Sequence, residues 1–271
     1  MKKKLLAVVI AVIMMFSMAA CGGGNSADAE PVTIYVSAAA SMTESLDEII
    51  AAYEAANEGV DIVPTYDSSG TLQTQIEAGA DCDLFISAAQ KQMNALEEGG
   101  FVADGTRIDI LENKCALVVA ADSTKSIDSW EAFEAAIKGA ASSNDLIFCM
   151  GNADVPVGQY TAAILKNLGL DEADMVSKGI VTYGSNVKEV TSQIQSAAAD
   201  CGIIYATDAF SAGMPVIANA DSALTDGRVI YPAAVMANAA QPEAAQAFLD
   251  YLQTADAMAV FEGVGFSAYV A

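Results

Sequence analysis

An α/β fold is predicted from three observations. Short apolar runs alternate with helix-period patterns nearly from end to end, the order that arises when a mostly parallel sheet is covered by helices on both faces. Several of the helical patterns carry a clear apolar stripe. Two of the strand-like runs end in polar, serine-bearing turns that open directly into a helix.

Taken in order, the first strand is expected at 33–36. A helix over 43–57 follows, because Leu46, Ile49, Ile50 and Tyr53 recur at i, i+3, i+4 and i+7. Ser41 is expected at its N-cap, with Glu44 completing a capping box. A strand at 61–65 leads through Tyr66-Asp67-Ser68-Ser69-Gly70 into a helix at 71–79, then a strand at 83–87 and a helix at 89–98. After a strand at 116–120, Trp130, Phe133 and Ile137 mark a helix over 129–138, which begins after Ser129 and stops at Lys138-Gly139. Strands at 145–149 and 180–182 flank a helix at 158–168. Val187, Val190, Ile194 and Ala197 then mark a helix over 187–198 behind Ser185-Asn186. Strands at 202–206, 215–218 and 228–235 precede two last helices, 242–253 and 255–262. In the first of these, Ala245, Phe248, Leu249 and Leu252 form the stripe behind Pro242, which suits a first helical turn. These stripes are core.

The first twenty residues read as an export signal: Lys2, Lys3 and Lys4 precede an apolar run from Leu5 to Met18, shorter than the ~20 residues a membrane-spanning helix needs. Met18-Ala19-Ala20-Cys21 resembles the lipobox of bacterial lipoproteins, with Met where leucine is usual, so Cys21 is expected to carry lipid and become the mature N-terminus. Residues 21–30 open with Gly22-Gly23-Gly24-Asn25-Ser26, a flexible tether between lipid and folded domain. The protein is therefore expected outside the cytoplasmic membrane, lipid-anchored on its outer face or in the periplasm.

The chain of 271 residues carries 12 basic and 35 acidic side chains, a net charge of −23. Loss of residues 1–20 takes three lysines and no acid, leaving −26. That balance argues against nucleic acid and against charge-driven binding to an anionic membrane. No histidine is present, which removes the Ser-His-Asp and Cys-His nucleophile systems, histidine-ligated zinc and the commonest general base. Cys82, Cys115, Cys149 and Cys201 are far apart, without a Cys-x-x-Cys pair, and each borders or lies in an apolar strand-like run. Buried free thiols are expected, although export permits disulfides and the spacing assigns no pairing.

The two serine turns carry the chemistry. A helix N-terminus presents orphan N–H groups and about half a positive charge, which suits an anion. A serine hydroxyl there donates to the anion while accepting from the backbone. Two such turns point donors at the carboxyl ends of parallel strands, where open α/β sheets bind ligands.

With these turns in view, a set of motifs running through nearly the whole mature chain becomes specific by its order: Ala38-Ala39-Ala40-Ser41, Ser68-Ser69-Gly70-Thr71-Leu72, Gln75-Ile76-Glu77-Ala78-Gly79-Ala80, Asp83-Leu84-Phe85-Ile86-Ser87-Ala88, Val155-Pro156-Val157-Gly158-Gln159-Tyr160, Gly202-Ile203-Ile204-Tyr205-Ala206-Thr207-Asp208-Ala209 and Tyr231-Pro232. In these the chain resembles the periplasmic molybdate-binding proteins of ABC importers. The resemblance implies the two-lobe periplasmic-binding-protein fold, each lobe a mostly parallel sheet flanked by helices. The crossing strands fall at 116–120 and 228–235, the first lobe at 31–117 with 233–271, and the second at 118–232. It implies a tetrahedral oxyanion held by two serines of one lobe, matching Ser41 and Ser69. The other lobe supplies two backbone amides, matching Val157 and Val187, and a tyrosine, matching Tyr205. Molybdate or tungstate is then the cargo of these residues, with no cation site, no cofactor and no catalytic residue. The partner is the membrane permease of an ABC importer, and the protein is expected as a monomer.

Three positions depart from the family pattern. Gly70 stands where some members have a third serine, Val157 is larger than the alanine often found there, and the Asp67 carboxylate lies two residues before Ser69. A donor-only site favours a fully deprotonated dianion, because a protonated one leaves an O–H without an acceptor, a cost of about 1–3 kcal/mol. The alternative in the same class is a phosphate- or sulfate-binding protein, for which Asp67 is the discriminating residue. A remote alternative is an exported hydrolase using Ser69, against which stand the missing histidine and the absence of Gly-x-Ser-x-Gly or Ser-x-x-Lys around it.

Overall fold

The computed structural model describes residues 31–271. The signal at 1–20, the tether at 21–30 and the lipidation site at Cys21 lie outside the described residues.

The chain builds β1 (Val32–Ala39), a 3-10 turn (Ala40–Met42), α1 (Thr43–Ala56), β2 (Val60–Asp67), α2 (Ser69–Glu77), β3 (Leu84–Ile86), α3 (Gln90–Glu98) and β4 (Ile108–Asn113). Lys114 alone separates β4 from β5 (Cys115–Val119). There follow α4 (Trp130–Gly139), β6 (Phe148–Gly151), α5 (Pro156–Asn167), α6 (Glu172–Ser177), β7 (Val181–Gly184) and α7 (Val187–Gln195). After β8 (Cys201–Tyr205), α8 (Ala206–Ser211) and β9 (Val216–Asn219), the chain returns through β10 (Val229–Val235), α9 (Pro242–Tyr251), α10 (Ala255–Gly263) and β11 (Ser267–Ala268).

Two sheets result, ordered β11-β4-β10-β3-β1-β2 and β7-β6-β8-β5-β9. In the first, β1 runs parallel to β2 and β3, and β10 runs antiparallel to β3 and β4. In the second, β6 runs parallel to β7 and β8, and β5 runs antiparallel to β8 and β9. Each sheet is flanked by helices, giving the two-lobe α/β architecture. The chain changes sheet at Lys114 and again between Asn219 and Val229. The divisions expected at 117/118 and 232/233 fall slightly farther along the chain than these changes of sheet, because β5 pairs along its length inside the second sheet and β10 inside the first.

The stripes are core as expected. Leu46, Ile49, Ile50 and Tyr53 are buried, and Tyr53 meets the Phe248 ring edge-on at 5.0 Å, which docks α9 on α1. Full burial of each such side chain contributes about 1.5–3 kcal/mol. The helix expected to reach 198 ends at Gln195. Ala198 N–H closes the end on the Gln193 carbonyl at 2.9 Å, and Ala197 takes a left-handed φ of 55°, exposed rather than in the stripe. Strand β4 was not legible in the sequence. Its register shifts against Tyr231 and Pro232, and Ile110 and Leu111 are both buried beside the irregularity. Cys82, Cys115, Cys149 and Cys201 are buried free thiols. Burial pushes Cys82 and Cys149 up to about 11, so they stay protonated at neutral pH.

Candidate functional site

Ser41 is not the helix cap that its spacing predicts. It lies inside the 3-10 turn, α1 starts from Met42 with no side-chain cap, and Glu44 turns away from the backbone to Lys188. The turn takes the place of a capping box, since Thr43 N–H already reaches the Ala40 carbonyl. The Ser41 hydroxyl instead lies 2.8 Å from the Tyr231 hydroxyl on β10. Asn113 Nδ2 donates to that same tyrosine oxygen at 3.1 Å and to Thr207 Oγ1 at 2.9 Å. Either hydroxyl can donate to the other, and when Tyr231 donates the serine proton is free to point outward.

At the second turn the two serines divide the work. Ser68 caps α2 by accepting from Thr71 N–H at 3.1 Å. Ser69 is then free of the capping role, and its oxygen accepts from Ala88 N–H at 2.9 Å, which again leaves the hydroxyl proton available to a ligand.

The second lobe brings three donors. Pro156 begins α5 with no side-chain cap, so the amide of Val157 is among the first-turn N–H groups that the helix leaves without partners. Gly158 lets this helix end come close: a β-carbon there would sit 2.2 Å from the Asn152 carbonyl oxygen. Val187 opens α7 behind Asn186, whose side chain caps Glu189 N–H. Tyr205 ends β8, fully buried, and its hydroxyl has no hydrogen-bond partner among the described residues. Burial holds its pKa well above the ordinary tyrosine range, so the hydroxyl keeps its proton and serves as a donor.

All five residues singled out in the sequence, Ser41, Ser69, Val157, Val187 and Tyr205, line one cavity between the lobes. The cavity is tight in this closed arrangement, with room for about one water molecule. Ser41 and Ser69 stand on the first lobe, the other three on the second. Asp67 also borders the cavity. It is half-buried, and its Oδ1 accepts from Ser68 N–H at 2.7 Å and from Asn186 Nδ2 at 3.2 Å. Close by lies Asp208, whose buried side chain is 3.3 Å from Lys188 Nζ. Burial pushes its carboxyl up to about 6, against the pull of Lys188.

Sequence reasoning missed the support behind Ser41. Tyr231 was visible only as part of a motif, and Asn113 sits at the end of the strand hidden by its bulge. It also missed the Glu44–Lys188–Asp208 group, in which Lys188 reaches a carboxylate 144 residues away. No local pattern announces such a contact.

Two α/β lobes joined by two crossovers and meeting on a small cavity of hydrogen-bond donors define the class of proteins that hold a solute between lobes. The chain belongs to the bacterial extracellular solute-binding protein family, which it matches over residues 34–267. YvgL of Bacillus subtilis, named as an ABC transporter substrate-binding lipoprotein, is 34% identical over 245 residues, covering 90% of both chains. The molybdate-binding protein ModA of Escherichia coli is 31% identical over 250 residues, covering 90% of this chain and 92% of its own. Among solved structures, the Azotobacter vinelandii periplasmic molybdate-binding protein shares the fold with a TM-score of 0.75 at 20% identity, covering 88% of this chain and 99% of that one.

Proposed function

We propose that this protein captures molybdate or tungstate outside the cytoplasmic membrane and delivers it to the permease of an ABC importer. The observation that carries the reading is the cavity's donor set: two hydroxyls from one lobe, two helix-start amides and a protonated tyrosine from the other. The donors carry no formal charge, and each gains strength toward a dianion in a dry cleft. Surface acids farther than ~8 Å from the cavity oppose this little, because physiological salt screens charges beyond that distance. The ion is held through Ser41, Ser69, Val157, Val187 and Tyr205, with no cation site and no cofactor.

The protein acts as a binder and not as an enzyme. Ser69 accepts from the amide of Ala88 and Ser41 pairs with the hydroxyl of Tyr231, and neither neighbour is a general base able to activate a nucleophile. It works as a lipid-anchored monomer: residues 1–20 are removed, Cys21 carries the lipid, and 21–30 tether the fold. The naming of YvgL as a lipoprotein supports the anchor.

A phosphate-binding reading has one observation in its favour, the Asp67 carboxylate at the cavity wall, which would accept the proton of hydrogen phosphate. Calorimetric titration of the mature protein with molybdate, tungstate, sulfate and phosphate at neutral pH decides between them. Molybdate and tungstate are expected to bind far more tightly than phosphate, and a preference for phosphate sinks the reading. Asp67→Asn separates the two again: a phosphate site loses affinity, whereas a molybdate site holds steady or improves.

A further inference from the structure

Val187 is flanked on both sides by residues bonded to the opposite lobe. Asn186, before it, uses Oδ1 to cap its own helix on Glu189 N–H at 3.0 Å and turns Nδ2 across the cleft to Asp67 Oδ1 at 3.2 Å. Lys188, after it, reaches both carboxylate oxygens of Glu44 in α1, at 2.8 and 2.7 Å. Lys188 is steadied from behind by its own lobe. Asp208, at the start of α8, lies 3.3 Å from the ammonium with its side chain wholly buried. One cation thus stands between a buried carboxylate of its own lobe and a surface carboxylate of the other.

We infer that Asn186 and Lys188 are positioning residues whose polar ties to Asp67 and Glu44 hold the lobes closed and press the Val187 amide against the bound oxyanion. They slow release of the ion without touching it. The inference rests on the binding reading proposed above and deepens it, since it assigns the stability of the closed state to side chains outside the donor set. The ties join elements of different sheets, so they exist only while the lobes are together, and they favour closure by their full worth.

Charge gives the test its sign. Glu44 is one acidic group among many on a surface that repels anions, so if it were only that, removing its charge would leave oxyanion binding unchanged or strengthen it. A tie predicts the opposite. Glu44→Gln is the clean variant, because it leaves Asp208 paired with Lys188. Lys188→Met, which leaves Asp208 without a cation, serves only to close a double-mutant cycle.

The experiment measures affinity by calorimetry and release by stopped-flow displacement for wild type, Glu44→Gln, Lys188→Met and the double variant. The probe is molybdate, or whichever of tungstate, sulfate and phosphate the wild type takes. For a pair exposed as Lys188 and Glu44 are, 31% and 51%, Glu44→Gln is expected to speed release roughly two- to five-fold. Ligand-free melting temperature should be unchanged, and the difference from wild type should shrink in high salt. In the Lys188→Met background Glu44→Gln should weaken binding no further. Asp67→Ala removes the acceptor of the other tie whereas Asp67→Asn keeps an oxygen there, so release should be faster from the alanine variant than from the asparagine one. Equal or tighter binding by Glu44→Gln overturns the inference and leaves the proposed function standing. If the wild type takes none of the four oxyanions, the binding reading falls and this inference falls with it.

Discussion

Gly70 of the first lobe faces the backbone of Asp154 in the second so closely that a β-carbon on residue 70 would lie 2.1 Å from the Asp154 carbonyl oxygen. The contact is backbone against backbone, so nothing flexible can yield. It gives a physical reason for glycine at this position: in this closed arrangement the lobes meet at the very place a side chain would occupy.

Gly70→Ala should therefore hinder closure while leaving the separate lobes sound. Overpacking of a tight contact costs typically about 1–3 kcal/mol, or roughly five- to a hundred-fold in molybdate affinity. The ligand-free protein should melt no lower, and higher by up to about 1 kcal/mol of stability, since alanine suits a helix better than glycine. Calorimetry and a thermal scan check the two halves; a loss of ligand-free stability would point to misfolding of α2 instead.

Tyr205→Phe should move affinity and stability in opposite directions. The hydroxyl has no partner among the described residues, so its removal takes away a buried, unsatisfied group and should leave the ligand-free melting temperature equal or raised. Losing its hydrogen bond to a charged ligand costs about 1.5–3 kcal/mol, roughly ten- to a hundred-fold in affinity. Ser69→Ala should cost a similar amount from the other lobe. Unchanged molybdate affinity in both variants would mean that the ion binds elsewhere.

Asp208 makes stability fall with pH over a definite window. Burial raises its carboxyl from 3.8 in the open chain to about 6 in the fold, so between those values the folded state holds a proton that the unfolded state has released. The stabilisation is complete below about 4 and is lost as pH rises through about 6. Asp208→Asn removes this dependence. The difference in melting temperature, wild type minus variant, should decline as pH goes from 4 to 7, while the other carboxylates, common to both proteins, cancel. A flat difference would show that Asp208 is ionised throughout.

Cys21→Ser removes the proposed lipid attachment site and should shift the protein from the membrane fraction to the soluble one. Membrane retention of the processed variant would show that some other feature holds it.

The alternation of apolar runs and helical stripes made the α/β class legible, because strand and helix periods are properties of neighbouring residues. The stripe of α1 from Leu46 to Tyr53 and the capped start of α7 at Asn186 could be read directly for the same reason. The short helices α6 and α8, too brief to show a period, could not. Neither could β4, where the bulge breaks the alternation. Ser41 is the instructive error. Its spacing to Glu44 satisfies a capping pattern, yet a hydroxyl 190 residues away supplies a partner in the fold, and a local rule has no knowledge of it.

What the sequence determined by itself was the set of candidate residues that line the cavity, since serine turns, helix starts and a tyrosine at a strand end are local in origin, and a resemblance spread over the whole chain said which of them to choose. Only the tertiary structure decided how they work. Asn113 and Tyr231 anchor the Ser41 hydroxyl, Ala88 anchors that of Ser69, and burial keeps Tyr205 a donor. The lobes then meet through Gly70 and Asp154, Asn186 and Asp67, and Lys188 and Glu44. Each of these contacts joins residues distant in the chain, and its energy comes from burial and from distances of about 3 Å that exist only once both sheets have formed and closed on one another.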